Sequence, residues 1–236
     1  MRYLLLSLLL FSFWSCSQPT EPTAAVEWTP LFNGDNLDGW TKLNGTAEYS
    51  IEDNTIIGTA QLNTPNTFLA TDQTYGDFVL EVDVKVDTAL NSGIQIRSLS
   101  SPDYQEGRVH GYQVEIDPSP RAWSGGLYDE ARRGWLYPLE YNEKGQTAFK
   151  NGAWNAYHIE AIGDTLRVWV NDVMTSNLVD NKTAEGFIAL QVHSIGEPEK
   201  EGAQVRWRNI KIKTDNLASV RRQADPEVPI INTAQE

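Results

Sequence analysis

The 236-residue chain has one cysteine, three histidines and two methionines. A single cysteine excludes an internal disulfide, so the apolar core has to hold the fold by itself. Basic residues are also scarce. Nineteen Lys and Arg face 32 Asp and Glu, for a net charge of −13. A surface of that sign repels phosphate, which removes nucleic acid as a partner and disfavours strongly anionic polysaccharides. No long 3.6-residue apolar period is present, and neither is an internal repeat, a zinc-finger spacing or a glycine-rich phosphate loop.

What is present begins with an address. Met1-Arg2 supplies a positive start, and Leu4 to Trp14 is an apolar run broken only by serines. The run is too short to span a bilayer with ease and fits the core of a signal peptide over residues 1–15. Cys16, following the small Ser15, resembles the lipid-bearing cysteine of bacterial lipoproteins. That resemblance implies cleavage before Cys16 and lipidation of its thiol. The chain is then expected to be an exported lipoprotein, periplasmic or at the outer membrane or cell surface. Membrane contact would come through the lipid anchor only. Residues 16–27, rich in Ser, Gln, Pro, Thr and Ala, read as a flexible tether. Residues 28–215 suit one all-β domain, and 216–236 read as a polar, weakly structured tail in which 228–231 pack as a short strand or stay free.

Strand-like runs recur between Gly, Asn and Asp turn signals, which argues for a sandwich or barrel. They are 47–51, 55–60, 67–70, 77–86, 93–98, 111–117, 125–128, 155–163, 165–171, 186–193 and 203–213. Val82, Val84 and Val86 alternate with Glu81, Asp83 and Lys85, so one face of that strand is buried and the other wet. Gly163-Asp164 reads as a tight hairpin turn. Residues 99–110 and 118–153 read as long polar loops of functional interest. Eight Trp and nine Tyr are many for this length and offer faces that stack on sugar rings as well as core filling.

Three strands carry polar side chains at every second position: Gln95 and Arg97, then Gln113, Glu115 and Asp117, then Gln191 and His193. A period of two puts each set on one face of its strand, with Ile96, Val114, Ile116 and Val192 on the other. Glu115 and Asp117 stand roughly 7 Å apart at the Cα level. Like charges that close push one pKa upward, which suits proton transfer near neutral pH. His193 is a candidate base, acid or metal ligand, and Arg97 a candidate for pairing with a carboxylate or a substrate oxygen. A divalent cation held by Glu115, Asp117 and His193 is one expectation. Tyr128, Arg132 and Trp135 are read as capping a pocket over the sheet, and His110 as lying at the mouth of the Glu115 strand. His158 is expected to face solvent. A solvated polar face, or carboxylates paired with Arg or Lys, remains the plain alternative to a site.

An ordered set of short motifs spans roughly 28–213. It opens with Leu31-Phe32-Asn33-Gly34-Asp35-Asn36-Leu37-Asp38-Gly39-Trp40. Asn91-Ser92-Gly93-Ile94 with Arg97, then Gly111-Tyr112-Gln113-Val114-Glu115-Ile116-Asp117, Gly126-Leu127-Tyr128, Trp154-Asn155 and Val170-Asn171 follow. Gly186-Phe187-Ile188-Ala189-Leu190-Gln191-Val192-His193 and Arg206-Trp207-Arg208-Asn209-Ile210 close it. The set resembles the 3-keto-disaccharide hydrolase family. It departs from it after Asp117, where Pro118-Ser119-Pro120-Arg121 replaces an aspartate-rich stretch, and at Trp207, where Phe is common.

The resemblance implies a concanavalin A-like jelly-roll sandwich of two antiparallel sheets and action on glycosides with a ketone at C3. Such a ketone acidifies the C2–H. A base then takes that proton, the enolate expels the C1 oxygen, and water adds to the product. Glu115 or His193 is the expected base, with Asp117 tuning it. Arg97, with or without a cation, is expected to steady the enolate, and Gln95, Gln113, Gln191 and Tyr128 to hold the sugar. Two other readings stand beside this one: a lectin-like binding module, and a conventional glycosidase using the Glu115 and Asp117 carboxylates.

Overall fold

The computed structural model describes residues 26–234. The leader, Cys16 and most of the tether therefore lie outside the described residues. In chain order the strands are β1 (Thr29–Pro30), β2 (Trp40–Asn44), β3 (Glu48–Glu52), β4 (Thr55–Thr59), β5 (Thr67–Thr71), β6 (Phe78–Val86), β7 (Ser92–Leu99) and β8 (His110–Ile116). They continue with β9 (Leu127–Glu130), β10 (Gly134–Tyr137), β11 (Asn155–Ile162), β12 (Thr165–Val170), β13 (Val173–Val179), β14 (Phe187–Val192), β15 (Gln204–Lys213) and β16 (Ile231–Asn232). A short helix, α1 (Glu143–Gln146), lies between β10 and β11.

Two sheets result. One runs β16-β13-β12-β11-β6-β15-β4-β3, with β1 added to β15. The other runs β10-β9-β8-β7-β14-β5-β2. All neighbours are antiparallel except β13 and β16. Inward side chains of the two sheets meet in one core that includes Val82, Val84 and Val86 from β6 and Ile94, Ile96, Val114 and Ile116 from β7 and β8. Each such side chain contributes about 1.5–3 kcal/mol by leaving water. The alternation expected on β6 holds, with Glu81, Asp83 and Lys85 only half-buried on the other side.

Turn chemistry sets the register where the sequence announces it. Gly163-Asp164 joins β11 to β12 as a two-residue hairpin, with Ile162 paired to Thr165 and Gly163 at φ +53°. Asn171 and Asp172 adopt φ +48° and +67° and form a second such turn into β13. The opening Leu31 to Trp40 motif is architectural. Asn33 Oδ1 accepts the N–H groups of Asp35 and Asn36, and the Trp40 indole donates to the Leu31 carbonyl at 2.8 Å.

The segment after Asp215 is more ordered than the weakly structured tail expected, and of the two alternatives for 228–231 it takes the packed one. Val228 is buried in the core, Tyr137 donates to the Pro229 carbonyl at 3.0 Å, and β16 pairs with β13. Arg222 N–H donates to Glu160 at 2.6 Å, and Arg221 lies 3.5 Å from the same carboxylate. This packing corrects the reading of His158. It is only 2 % exposed, lying between Glu81 at 3.3 Å and Glu160 at 3.4 Å. Period-two patterning placed it on an outer face, and the tail anchored at Glu160 closes over that neighbourhood.

Candidate active site

The outer face of the seven-stranded sheet carries the polar row. β7 and β8 pair Gln95 with Gln113 and Gly93 with Glu115, and β14 pairs Gln191 with Gly93. The same face continues onto β9, where Tyr128 lies across from Gln113. Gly93 is what lets the row close up. A Cβ there would sit 2.4 Å from Gln113 Cδ, so the missing side chain is the space through which the Gln113 amide reaches towards Gln191. Gln113 Oε1 accepts from Gln95 at 2.6 Å and from Gln191 at 2.9 Å, while its Nε2 donates to Glu115 Oε2 at 2.9 Å. Gln191 Oε1 is buried without a hydrogen-bond partner.

Above this row is an open depression of about 540 Å³. It brings together seven of the residues singled out in the sequence: Gln113, Glu115, Asp117, Tyr128, Trp135, Gln191 and His193. Glu115 forms part of its lining and is 4 % exposed. Burial pushes its carboxyl up to about 7, against hydrogen bonds from Asn91 at 2.6 Å and Gln113 that favour the charged form. Asp117 behaves oppositely. Burial alone would raise it, but hydrogen bonds from Ser119 and Arg121 hold it below the usual carboxylate range. The two neighbouring carboxyls are thus driven apart, Glu115 upward by burial and Asp117 downward by its hydrogen-bond partners. His193 Nδ1 lies 2.6 Å from the Ser194 carbonyl. A carbonyl only accepts, so Nδ1 carries the hydrogen and Nε2 is the basic position of the neutral ring.

Arg97 is not with them. Pairing between β7 and β8 slips between Ile96 and Leu99, and Arg97 itself takes φ +45°. This bulge breaks the period of two and re-aims the side chain. Its guanidinium donates to the Gly76 carbonyl at 2.8 Å, the Gly163 carbonyl at 2.7 Å and Asp77 at 2.9 Å. Arg132 is also held elsewhere, by Asp129 at 2.6 Å and Thr183 at 2.7 Å. His110 stacks on Tyr104 at 3.9 Å and does not line the depression. Gln95 is fully buried behind Gln113 and reaches the site only through it. The expected metal ligands are not assembled either. Among the described residues no group of three His, Cys, Asp or Glu is placed to hold an ion. Instead Glu115 is taken up by two amides, Asp117 by Arg121 and Ser119, and His193 by a backbone carbonyl.

Sequence reasoning missed Arg121 and Glu130. Arg121 Nε binds Asp117 Oδ2 at 2.7 Å, Nη2 lies 3.6 Å from Glu115, and the guanidinium sits 4.7 Å and 5.0 Å from the Trp123 and Trp135 rings. It is the cation that stands beside Glu115 and Asp117, where Arg97 was expected. Its signal was the arginine standing four residues after Asp117. Glu130 stands at i+2 from Tyr128 and so shares its face, a signal lost because the strand was ended at 128.

The two-sheet sandwich is shared with solved structures. A Bacillus subtilis protein of unknown function with a galectin-like fold matches at TM-score 0.58 and 11 % identity, over 82 % of this chain and 97 % of that one. A Parabacteroides distasonis ATCC 8503 protein, provisionally described as a glycosyl hydrolase, matches at TM-score 0.57 and 18 % identity, over 79 % and 93 %. The cellulose-induced protein Cip1 matches at TM-score 0.51 and 16 % identity, over 80 % and 97 %. At these identities the likeness is one of fold, a concanavalin A-like jelly roll. No curated protein matches the sequence. Residues 27–213 match the model of the 3-keto-alpha-glucoside-1,2-lyase-like domain, and the chain belongs to that family. The membership puts it among carbohydrate-active, glycosyl hydrolase-like proteins.

Proposed function

We propose that the protein cleaves 3-keto-glycosides by removing the C2 proton, eliminating the C1 oxygen and adding water to the product. The observation that carries this reading is Glu115: a buried carboxyl near pKa 7, held by Asn91 and Gln113 in the lining of a sugar-sized depression. A base poised near the working pH is what abstraction of an acidified C–H needs. Arg121 lies beside it as the positive charge for the developing enolate, steadied by Asp117 and the two tryptophans. Gln191 borders the depression and supports Gln113, to whose carbonyl it donates. Trp135 and Tyr128 offer ring faces and a phenol to the sugar. The elimination needs no second carboxylate at attack distance, which agrees with Asp117 being committed to Arg121.

The test compares a glucoside with its 3-keto form and follows release of the aglycone. Cleavage of the keto form alone is expected. Cleavage of both would instead indicate an ordinary glycosidase, and cleavage of neither a binding module.

A further inference from the structure

A second depression, of about 510 Å³, adjoins the first. Asn66, Arg108 and Glu130 line both, so they form the wall the two share. The second is different in character. Phe68 and Pro65 contribute to it, and Phe68 belongs to a small apolar cluster with Ala70, Val109, Phe187 and Ala189. Phe68 is buried beneath this second hollow, and exposed Pro65 gives it an apolar contact among polar neighbours that include Asn44, Gln105 and Glu106. That lining suits a ligand whose first ring is gripped by its hydroxyls and whose second is covered in part on a C–H face.

Glu130 stands on the shared wall. Strand pairing sets it opposite Gly111, on the same face as Tyr128 and Gln113. It is 6 % exposed, with Arg108 Nη2 at 3.4 Å. Asn66 spends its carbonyl on the Ser194 N–H at 2.9 Å, which leaves its amide hydrogens for the Glu130 carboxyl. Burial pushes that carboxyl above its ordinary range. Along β9, Glu130 lies four residues beyond Gly126, whose carbonyl accepts from the Glu115 backbone. At about 3.3 Å per residue the two backbone positions are roughly 13 Å apart along the strand, with Tyr128 between them, so the two side chains have to lean towards each other over Tyr128 to meet the neighbouring C2–H and C1–O of one sugar.

We propose that Glu130 is the proton donor to the departing glycosidic oxygen, and that the second depression holds the leaving sugar. This rests on the 3-keto-glycoside reading above. In the elimination Glu115 takes the C2 proton, the C2 electron pair forms the C1=C2 double bond, and the C1–O bond breaks. The leaving oxygen takes the Glu130 proton and departs as an alcohol. In the hydration Glu130, now a carboxylate, removes a proton from the water that attacks C1, and Glu115 returns its proton to C2. Both groups end as they began, and the net change is addition of water across the glycosidic bond.

The test uses Glu130→Gln on two substrates with the same 3-keto-glucosyl group, one with a second glucose as leaving group and one with 4-nitrophenol. Nitrophenolate departs without a proton, whereas a sugar alkoxide does not. The readout is the single-turnover rate of leaving-group release, which precedes hydration, and the expected result is a fall of about 100-fold or more on the disaccharide against less than about threefold on the nitrophenyl substrate. The falling alkaline limb of the disaccharide pH profile should vanish with it. Equal loss on both substrates, in a variant whose thermal midpoint matches wild type, overturns the role. Arg108→Met covers the case in which Glu130→Gln fails to fold. Loss of the neighbouring cation raises the Glu130 pKa and moves the alkaline limb to higher pH, and an unmoved limb overturns the assignment. A wild-type protein that cleaves neither substrate overturns the 3-keto reading itself, whatever the variants do.

Discussion

Gln113 donates a side-chain N–H to Glu115 Oε2 at 2.9 Å, and this bond sets the sense of the amides behind it. With its NH₂ committed to a carboxylate, Gln113 turns its carbonyl to Gln95 and Gln191, and both present hydrogens to it. Gln191 is left with its own carbonyl oxygen unpaired. A carboxyl at one end of the row therefore fixes an acceptor at the other, with no rotamer freedom between them.

Glu115→Gln separates catalysis from stability. With Glu115 as the proposed base, its loss should lower kcat on a 3-keto-glucoside by about 10²- to 10⁴-fold. In the wild type the base must be ionised, so kcat/KM should rise with pH through about 7. The stability sign is the reverse. A carboxyl held at about 7 in the fold, against an ordinary 4.5, loses stability as pH rises from 4.5 through 7. The cost of ionising it is on the order of 3 kcal/mol. At pH 8 the variant should therefore unfold at a higher denaturant concentration than wild type, and a lower midpoint would contradict the burial argument.

Arg121→Met tests the cation over the site. The guanidinium favours the charged form of Glu115, so its loss should move the acid limb of the pH profile upward. It should also lower kcat by roughly 10- to 100-fold through the uncompensated enolate. A variant that changed KM alone would make Arg121 a binding residue only.

Arg97→Ala should act on the fold and leave the chemistry alone. The side chain satisfies the Gly76 and Gly163 carbonyls and pairs with Asp77, far along the bulge from the amide row. Asp77 and Gly163 are exposed and can turn to water, so the loss of the bonds should cost about 2 kcal/mol in urea unfolding. Turnover by the remaining folded protein should stay within about twofold of wild type, since the site loses no contact.

His158 ties pH to the C-terminal segment. Both ring nitrogens face carboxylates, which only accept, so the clamp requires the protonated ring. Burial alone would lower the His158 pKa, but Glu160 and Glu81 raise it above 6.5. Its stabilising contribution is full below 6.5 and is lost as pH rises through the folded value. Glu81, lowered to about 2 chiefly by its bond to His158, contributes above 4.5 and loses that contribution as pH falls. The clamp is complete between these limits. Hydrogen exchange at the Arg222 amide, which bonds Glu160, should accelerate between pH 6 and 9 beyond the intrinsic pH effect, and His158→Phe should abolish the excess. Glu115 titrates in the same direction but far from this amide, so the exchange reports the clamp alone.

The strands were legible where the period of two ran unbroken between turn residues, as on β6, β8 and β14. β2, β10 and β13 were not, since β10 lies inside a stretch read as loop and β13, Val173–Val179, shows no clean alternation. The amide row was legible for the same reason as the strands.

The sequence by itself determined the all-β class, the acidic surface and the polar face of Gln113, Glu115 and Gln191, because side-chain alternation is a local property of an extended chain. Only the tertiary structure decided which charges reach that face. Arg97 leaves it through a bulge defined by the pairing of two strands. Arg121 enters it from a turn whose path is set by the Asp117 carboxylate and two tryptophans. His158 is closed off by a tail more than fifty residues later in the chain, anchored by Arg222 at Glu160. Each of these depends on partners distant in sequence, and period and spacing carry no information about them.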